Sequence, residues 1–246
     1  YIKGELKNVT LDNDKAYGIQ DSEELHKFLE KALISEYDFV ALDSETTALY
    51  NRNGHILGMS ISYEPDHGAY IDTECVDEKA ETMLQELFNK KRVVFHNAKF
   101  DLHFFEYHFN FKFPRFEDTM LLHYMLDENP GTHGLKQLSL KYTPYGDYEK
   151  PMYDWMDDYR KRHGMLKGDF TWDLIPFDVM KHYAALDAVC TFLLFQKFEA
   201  PLLKNDRLYG VYKNILIPGT RFLVDTEDNG VPFDKERLQT SSVLMQ

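Results

Sequence analysis

The sequence predicts an α/β fold, one mixed sheet flanked by helices, and three features carry that expectation. Apolar runs with strand-like alternation come first and close together, as in a meander. Later strands alternate with amphipathic helices. Arg92-Val93-Val94-Phe95 is continuously apolar after its arginine, as a strand buried on both faces is. Strands that give way to strand–helix alternation imply a mixed sheet covered by helices. Ligands of such sheets gather at the carboxyl ends of the strands.

Each element has a local reason. Tyr17-Gly18-Ile19-Gln20 reads as a short strand, and Asp21 with Glu24 three residues on forms a capping box that opens a helix over 22–33. A strand follows over 37–43. Asn53-Gly54 is a turn signal before a strand over 55–63, and 67–72 is the next strand of the meander. Residues 77–90 form an amphipathic helix with Met83, Leu84, Leu87 and Phe88 on one side. After the 92–95 strand, helices are expected over 98–109, 117–126 and 135–142. The stretch 143–175 is polar and aromatic, with Pro144, Gly146, Pro151, Gly164 and Gly168, and reads as an insertion with one short helix rather than core. Pro176 suits the first turn of a long helix to about Phe198. A further helix over 206–228, kinked near Pro218, ends at Asn229-Gly230.

Composition bounds the class. Hydrophobic residues make up 43% and aromatic residues 15% of the 246, enough for a packed core and against a disordered chain. No apolar run approaches the roughly 20 residues that span a bilayer, and Tyr1-Ile2-Lys3-Gly4-Glu5 is not a signal peptide. Cys75 and Cys190 are too few and too separated for a disulfide framework or a zinc site, which favours a reducing, cytoplasmic compartment. The absence of an initial Met and an end inside a helical pattern suggest a piece of a longer protein. A net charge of −13 argues against a nucleic-acid partner only weakly, because a site built of acids and filled by cations would account for part of it.

The chemistry-bearing stretch is Phe39-Val40-Ala41-Leu42-Asp43-Ser44-Glu45-Thr46-Thr47. Strand alternation puts Asp43 and Glu45 on one side, where two carboxylates repel unless a proton or cation intervenes. Hard oxygen ligands suit Mg²⁺ or Mn²⁺. Taken alone, such a pair reads as a solvated strand end beginning a loop. A second segment, His96-Asn97-Ala98-Lys99-Phe100-Asp101, puts a carboxylate in the first turns of a helix, where the dipole alone would favour it. A third, Lys181-His182-Tyr183-Ala184-Ala185-Leu186-Asp187, sets Tyr183 and Asp187 four apart on one helix face, as a structural tyrosine–carboxylate pair would also be.

Together, Asp-x-Glu, Asn-x-x-x-Asp and Tyr-x-x-x-Asp resemble the DEDD superfamily of 3′→5′ exonucleases in its tyrosine-bearing branch. Within it the chain is most similar to the proofreading domain of bacterial and phage family A DNA polymerases, the DNA polymerase I type. Phe116-Glu117-Asp118-Thr119-Met120-Leu121-Leu122 and His133-Gly134-Leu135-Lys136-Gln137-Leu138-Ser139 resemble that family's intervening helices. Ile217-Pro218 and Glu227-Asp228-Asn229-Gly230-Val231-Pro232-Phe233-Asp234 resemble its junction with the polymerase thumb.

The resemblance implies a ribonuclease H-like sheet with a C-terminal helix leading into a polymerase thumb. It divides the chain into a lead segment (1–16), an exonuclease domain (17–200, with 143–175 inserted) and the junction (201–246). It implies that Asp43, Glu45, Asp101 and Asp187 hold two divalent ions, Mg²⁺ or Mn²⁺, with Asp43 bridging them and Asp101 serving the second partly through water. Tyr183 would align the attacking water, Asn97 would steady the substrate or the surroundings of the ions, and Thr46 and Leu49 would meet the 3′-terminal nucleotide. The partners would be a single-stranded DNA 3′ end or primer terminus and a polymerase domain in the same longer chain.

Alternatives remain at this point. His182, five before Asp187, also fits the histidine-bearing branch of the superfamily. An RNase D-like exoribonuclease would use the same metal site, and a vestigial, non-catalytic module would keep the fold while losing acids. The basic cluster Tyr159-Arg160-Lys161-Arg162-His163 with Lys167, among the aromatics of 143–175, reads either as a solvated helix face or as a single-stranded DNA contact.

Overall fold

The structure, a computed structural model, describes residues 16–244, so the expected lead segment lies outside the described residues but for Ala16. Six strands form one sheet in the order β1-β4-β3-β2-β5-β6: β1 Ala16–Ile19, β2 Phe39–Thr46, β3 Ile56–Glu64, β4 His67–Asp72, β5 Arg92–Phe95 and β6 Phe116–Asp118. The pairs β2–β3 and β3–β4 are antiparallel, whereas β1–β4, β2–β5 and β5–β6 are parallel. This is the mixed, ribonuclease H-like α/β sheet that the sequence predicts.

The helices begin where the sequence supplies caps. Asp21 accepts from the Glu24 amide at 2.9 Å to open α1, Ser22–Ile34. Asp77 does the same for α2, Glu78–Lys90, at 2.8 Å from Ala80. α3, Ala98–His108, follows β5 through Asn97, which adopts a left-handed conformation (φ +69°). Asparagine tolerates this turn better than most residues.

The stretch expected as helix from residue 117 begins instead as strand β6, and the helix itself, α4, spans Thr119–Leu126. Three residues are too few to show a period, and what makes them a strand is pairing with β5, Val93 opposite Phe116 and Phe95 opposite Asp118. Asp118 then joins two helices. Its carboxylate accepts from the amides of Asn97 (3.2 Å) and Ala98 (2.9 Å) at the start of α3, and from Met120 (2.8 Å) and Leu121 (3.3 Å) at the start of α4.

α5 spans Leu135–Tyr142 and α6 spans Lys150–His163. Expected outside the core, segment 143–175 instead buries Tyr145, Met152 and Ile175 against Met180 and Ala184. Its aromatic residues supply an apolar face that the polar composition conceals. The stretch 206–228, expected as one helix kinked near Pro218, forms α8 (Asp206–Val211), a wide π-helical turn (Tyr212–Leu216) and α9 (Ile217–Asn229). A proline without an N–H and with a bulky ring displaces the preceding turn, which accounts for the widening just before Pro218. A last helix, α10, spans Lys235–Leu244.

α7, Phe177–Leu202, crosses one face of the sheet. Phe39, Ala41 and Val94 pack there against Phe192, Phe195 and Phe198. On the opposite face Val40, Leu42, Ile61 and Val93 pack with residues of α1, α2 and α3. α7 is the longest helix of the described residues, and no helix among them is long and apolar enough to cross a membrane.

α7 comes close to the sheet at Gly68 of β4. A Cβ there would lie 2.7 Å from both the Ala185 carbonyl oxygen and Val189 Cγ2. We therefore expect Gly68→Ala to destabilise the fold by about 1–3 kcal/mol, read by chemical denaturation. Unchanged stability would mean that α7 has room to move away from the sheet.

Candidate active site

Strand alternation determines where the acids of β2 point. Phe39 and Ala41 face α7, while Val40 and Leu42 face α3. Continuing the alternation turns Asp43 and Glu45 toward α7 and Ser44 toward α3. The contacts agree. One carboxylate oxygen each from Asp43, Glu45 and Asp187 lie within 4.8 Å of one another. On the other side Ser44 Oγ donates to Asp101 Oδ1 at 2.6 Å. A cleft of about 710 Å³ takes in all four acids together with Asn97 and Tyr183.

Burial makes this cluster costly as charges. Glu45, Asp101 and Asp187 are 6%, 2% and 5% exposed, so little water screens them. Loss of solvent, followed by the neighbouring carboxylates, raises Asp43 and Glu45 well above the usual carboxylate range. Asp101 is pushed up to about 7 by burial, against the opposing bond from Ser44. Asp187 is likewise raised to about 7, burial outweighing a bond from Tyr148. Glu45 Oε1 is buried without a hydrogen-bond partner among the described residues. Converging, underpartnered hard oxygens fit divalent cations, which would supply the charge that the site lacks.

Tyr183 lines the cleft, whereas His182, one residue earlier on α7, is not among its lining residues. Burial and then Asp187, Glu45 and Asp43 raise the Tyr183 phenol well above its ordinary value, so it stays protonated. Thr46 and Leu49 border a second hollow of about 280 Å³, which shares Ser44, Glu45 and Phe100 with the main cleft. Trp172 forms its far wall. Thr46 Oγ1 itself donates to the Ala48 carbonyl at 2.9 Å.

Several residues in or beside the cleft are given no role in the site by the sequence. Tyr148 donates to Asp187 Oδ1 from the segment before α6. Its neighbour Glu149, 6% exposed, pairs with Lys136 of α5, and Lys136 Nζ donates to Tyr153 Oη at 2.6 Å. Lys136 is the one lysine or arginine in the cleft lining among the described residues. Burial opposes its charge, but the bonds to Glu149 and Tyr153 prevail and raise its pKa. His96 also lines the cleft, and burial lowers it to about 4, so it is neutral near pH 7. No local spacing links residues 136, 148 and 149 to the acids; only folding does. The basic residues of α6 lie outside both hollows, and Arg160 and Arg162 pair with Asp157 and Asp158 of the same helix.

These shifts have a consequence for stability. Ordinary Asp titrates near 3.9, whereas Asp101 and Asp187 titrate at about 7 in the fold. Between these values the folded chain keeps protons that the unfolded chain has lost, so stability falls as pH rises through that window. We expect the thermal midpoint of EDTA-treated protein to be lower at about pH 8 than at about pH 5. Mg²⁺ should raise it more at the higher pH, because ions and protons compete for the same oxygens. Equal Mg²⁺ stabilisation at both would contradict this competition.

Comparison with known proteins agrees with the geometry. Residues 17–203 match a family model described as 3′–5′ exonuclease, of the DNA polymerase A type. The DNA polymerase of Escherichia phage T5 is 44% identical over 229 residues, covering 90% of this chain and 27% of the relative. DNA polymerase I of Borreliella burgdorferi is 24% identical over 242 residues, covering 96% of this chain and 25% of the relative. The chain thus spans about a quarter of the length of these curated relatives. Among solved structures, Escherichia coli RNase D superposes with a TM-score of 0.65 at 14% identity, over 86% of this chain and 51% of that one, a likeness of fold alone. The family match sets the chain apart from the RNase D alternative: it belongs to the 3′–5′ exonuclease family of A-type DNA polymerases.

Proposed function

We propose that this chain removes 3′-terminal nucleotides from single-stranded or frayed DNA as 5′-monophosphates, proofreading for a polymerase domain in the same longer chain. The observation that carries the reading is the approach of Asp43, Glu45 and Asp187 within 4.8 Å, in one cleft with Asp101 and Tyr183. A mismatched primer end frays more readily than a paired one, so unpaired termini would reach this cleft preferentially. The proposed setting is the cytoplasm of a bacterial or phage-infected cell, the curated relatives being bacterial and phage polymerases.

Asp43, Glu45 and Asp187 would hold one Mg²⁺ or Mn²⁺, and Asp43 with Asp101 a second. When bound, the two ions lower the pKa of a water and stabilise charge on the attacking and leaving oxygens. Tyr183, kept protonated by burial and then by its carboxylate neighbours, would hydrogen-bond the attacking water and align it rather than take its proton. Attack forms a new O–P bond and breaks the bond to the 3′ oxygen of the preceding nucleotide. That oxygen takes up a proton, and the phosphate leaves on the released nucleotide. The hollow bordered by Thr46, Leu49, Phe100 and Trp172 would receive the terminal nucleoside, its aromatic walls suiting a base. Asn97 and Lys136 would steady the substrate, Lys136 as a cation in the cleft lining. Charge supports this economy: four carboxylates balance two divalent ions, and Glu149 balances Lys136.

The test is shortening of 5′-labelled single-stranded DNA with Mg²⁺ or Mn²⁺. We expect a ladder descending from the 3′ end, abolished by EDTA and by Asp43→Ala. Tyr183→Phe should slow it roughly 10- to 100-fold, within the range of misaligned attack, while His182→Ala should not change it. Shortening of RNA in preference to DNA would favour the exoribonuclease alternative. No shortening by folded protein would favour the vestigial module.

A further inference from the structure

Two of the four acids, Asp101 and Asp187, project from helices, and a helix fixes a side chain's root but not the plane of its carboxylate. For a metal ligand that plane matters, and groups that hydrogen-bond the ligand ordinarily set it. Asp101 meets this need with a hydroxyl from another element, Ser44 Oγ at 2.6 Å. Asp187 meets it in the same way. The Tyr148 hydroxyl donates to Asp187 Oδ1 and leaves the other carboxylate oxygen clear of that bond.

Tyr148 is itself held in place. On its C-terminal side Glu149 pairs with Lys136, whose ammonium is also bonded to Tyr153 at 2.6 Å. On its N-terminal side Tyr145 is buried and bonded to Asp66, beside β4, and Thr143 Oγ1 donates to the Ser139 carbonyl at 2.8 Å. Its ring stacks on that of Tyr183, centroids 6.4 Å apart. Segment 143–149 is therefore tied to α5 and to the β3–β4 turn, and delivers one hydroxyl to the middle of α7. We infer that Tyr148 is a positioning residue that sets the carboxylate of Asp187 for ion binding, a role that rests on the metal-dependent reading proposed above. A tyrosine outside all three acid-bearing segments thus belongs to the site, and the segment that looks like an insertion supplies it.

The experiment is an Mn²⁺ titration of the 246-residue chain, following the loss of the free-ion electron paramagnetic resonance signal, with DNA shortening and thermal midpoint measured in parallel. Tyr148→Phe keeps the ring and removes the hydroxyl. Tyr153→Phe removes a hydroxyl from the same region without touching Asp187. The expected result is an Mn²⁺ midpoint raised roughly 10- to 100-fold in Tyr148→Phe, with the Tyr153→Phe midpoint and both thermal midpoints near wild type. Wild-type Mn²⁺ binding by Tyr148→Phe overturns the inference, as does an equal loss in Tyr153→Phe, which would mark a loosened segment. If the wild type binds Mn²⁺ through Asp187 but leaves DNA intact, the exonuclease reading fails and the binding comparison still decides the role of Tyr148. If the wild type binds no Mn²⁺, both fall.

Discussion

Repulsion among carboxylates buried at one point is the constraint on which the rest of the structure depends. Two unit charges 4.8 Å apart repel by about 3–4 kcal/mol at an effective dielectric constant of about 20. Three such pairs would total about 10 kcal/mol, comparable with the whole stability of a typical domain. The cluster therefore cannot exist as bare charges. Protons or cations must fill it, and the elements that bring the acids together must be held by forces unrelated to them.

Those forces are apolar and local. α7 presses Phe192, Phe195 and Phe198 onto Phe39, Ala41 and Val94, and β4 admits it closely where Gly68 has no side chain. α3 is pinned at its start by Asp118, whose carboxylate accepts four backbone N–H groups and so ties α3 and α4 to the end of β6. The C-terminal region braces the same joint. Tyr212 Oη accepts from the Asp118 amide and donates to Glu117, both at 2.9 Å, and Lys213 pairs with Glu117 at 2.8 Å. The π-helical turn that carries Tyr212 and Lys213 thus has a packing role, bonding to the end of β6.

The site uses hydroxyls to orient what the backbone only locates. Ser44 on Asp101 and Tyr148 on Asp187 are bonds between elements far apart in sequence, 57 and 39 residues respectively. The same economy separates Tyr183 from His182. Both fit an acid-bearing helix signature, but one residue of helix rotation is about 100°, and that rotation turns Tyr183 into the cleft and leaves His182 outside its lining.

The sequence by itself determined most of the sheet, which is written in local physics, and singled out the acids as a set only through the joint resemblance of three motifs to a known family. Period-two alternation aims Asp43 and Glu45 to one side, a helical spacing of four pairs Tyr183 with Asp187, and a capping box marks the start of α1. It left β6 hidden inside an expected helix, because a three-residue strand exists only through its partner β5. It also set residues 143–175 aside as insertion, because polar and aromatic residues without a period give no sign of what they will touch. Only the tertiary structure decided that Glu149 and Lys136 line the cleft, that Tyr148 bonds Asp187, and that Thr46, Leu49, Phe100 and Trp172 share a hollow. These residues meet through long-range contacts, and local spacing carries no record of which distant side chain will arrive opposite a given carboxylate.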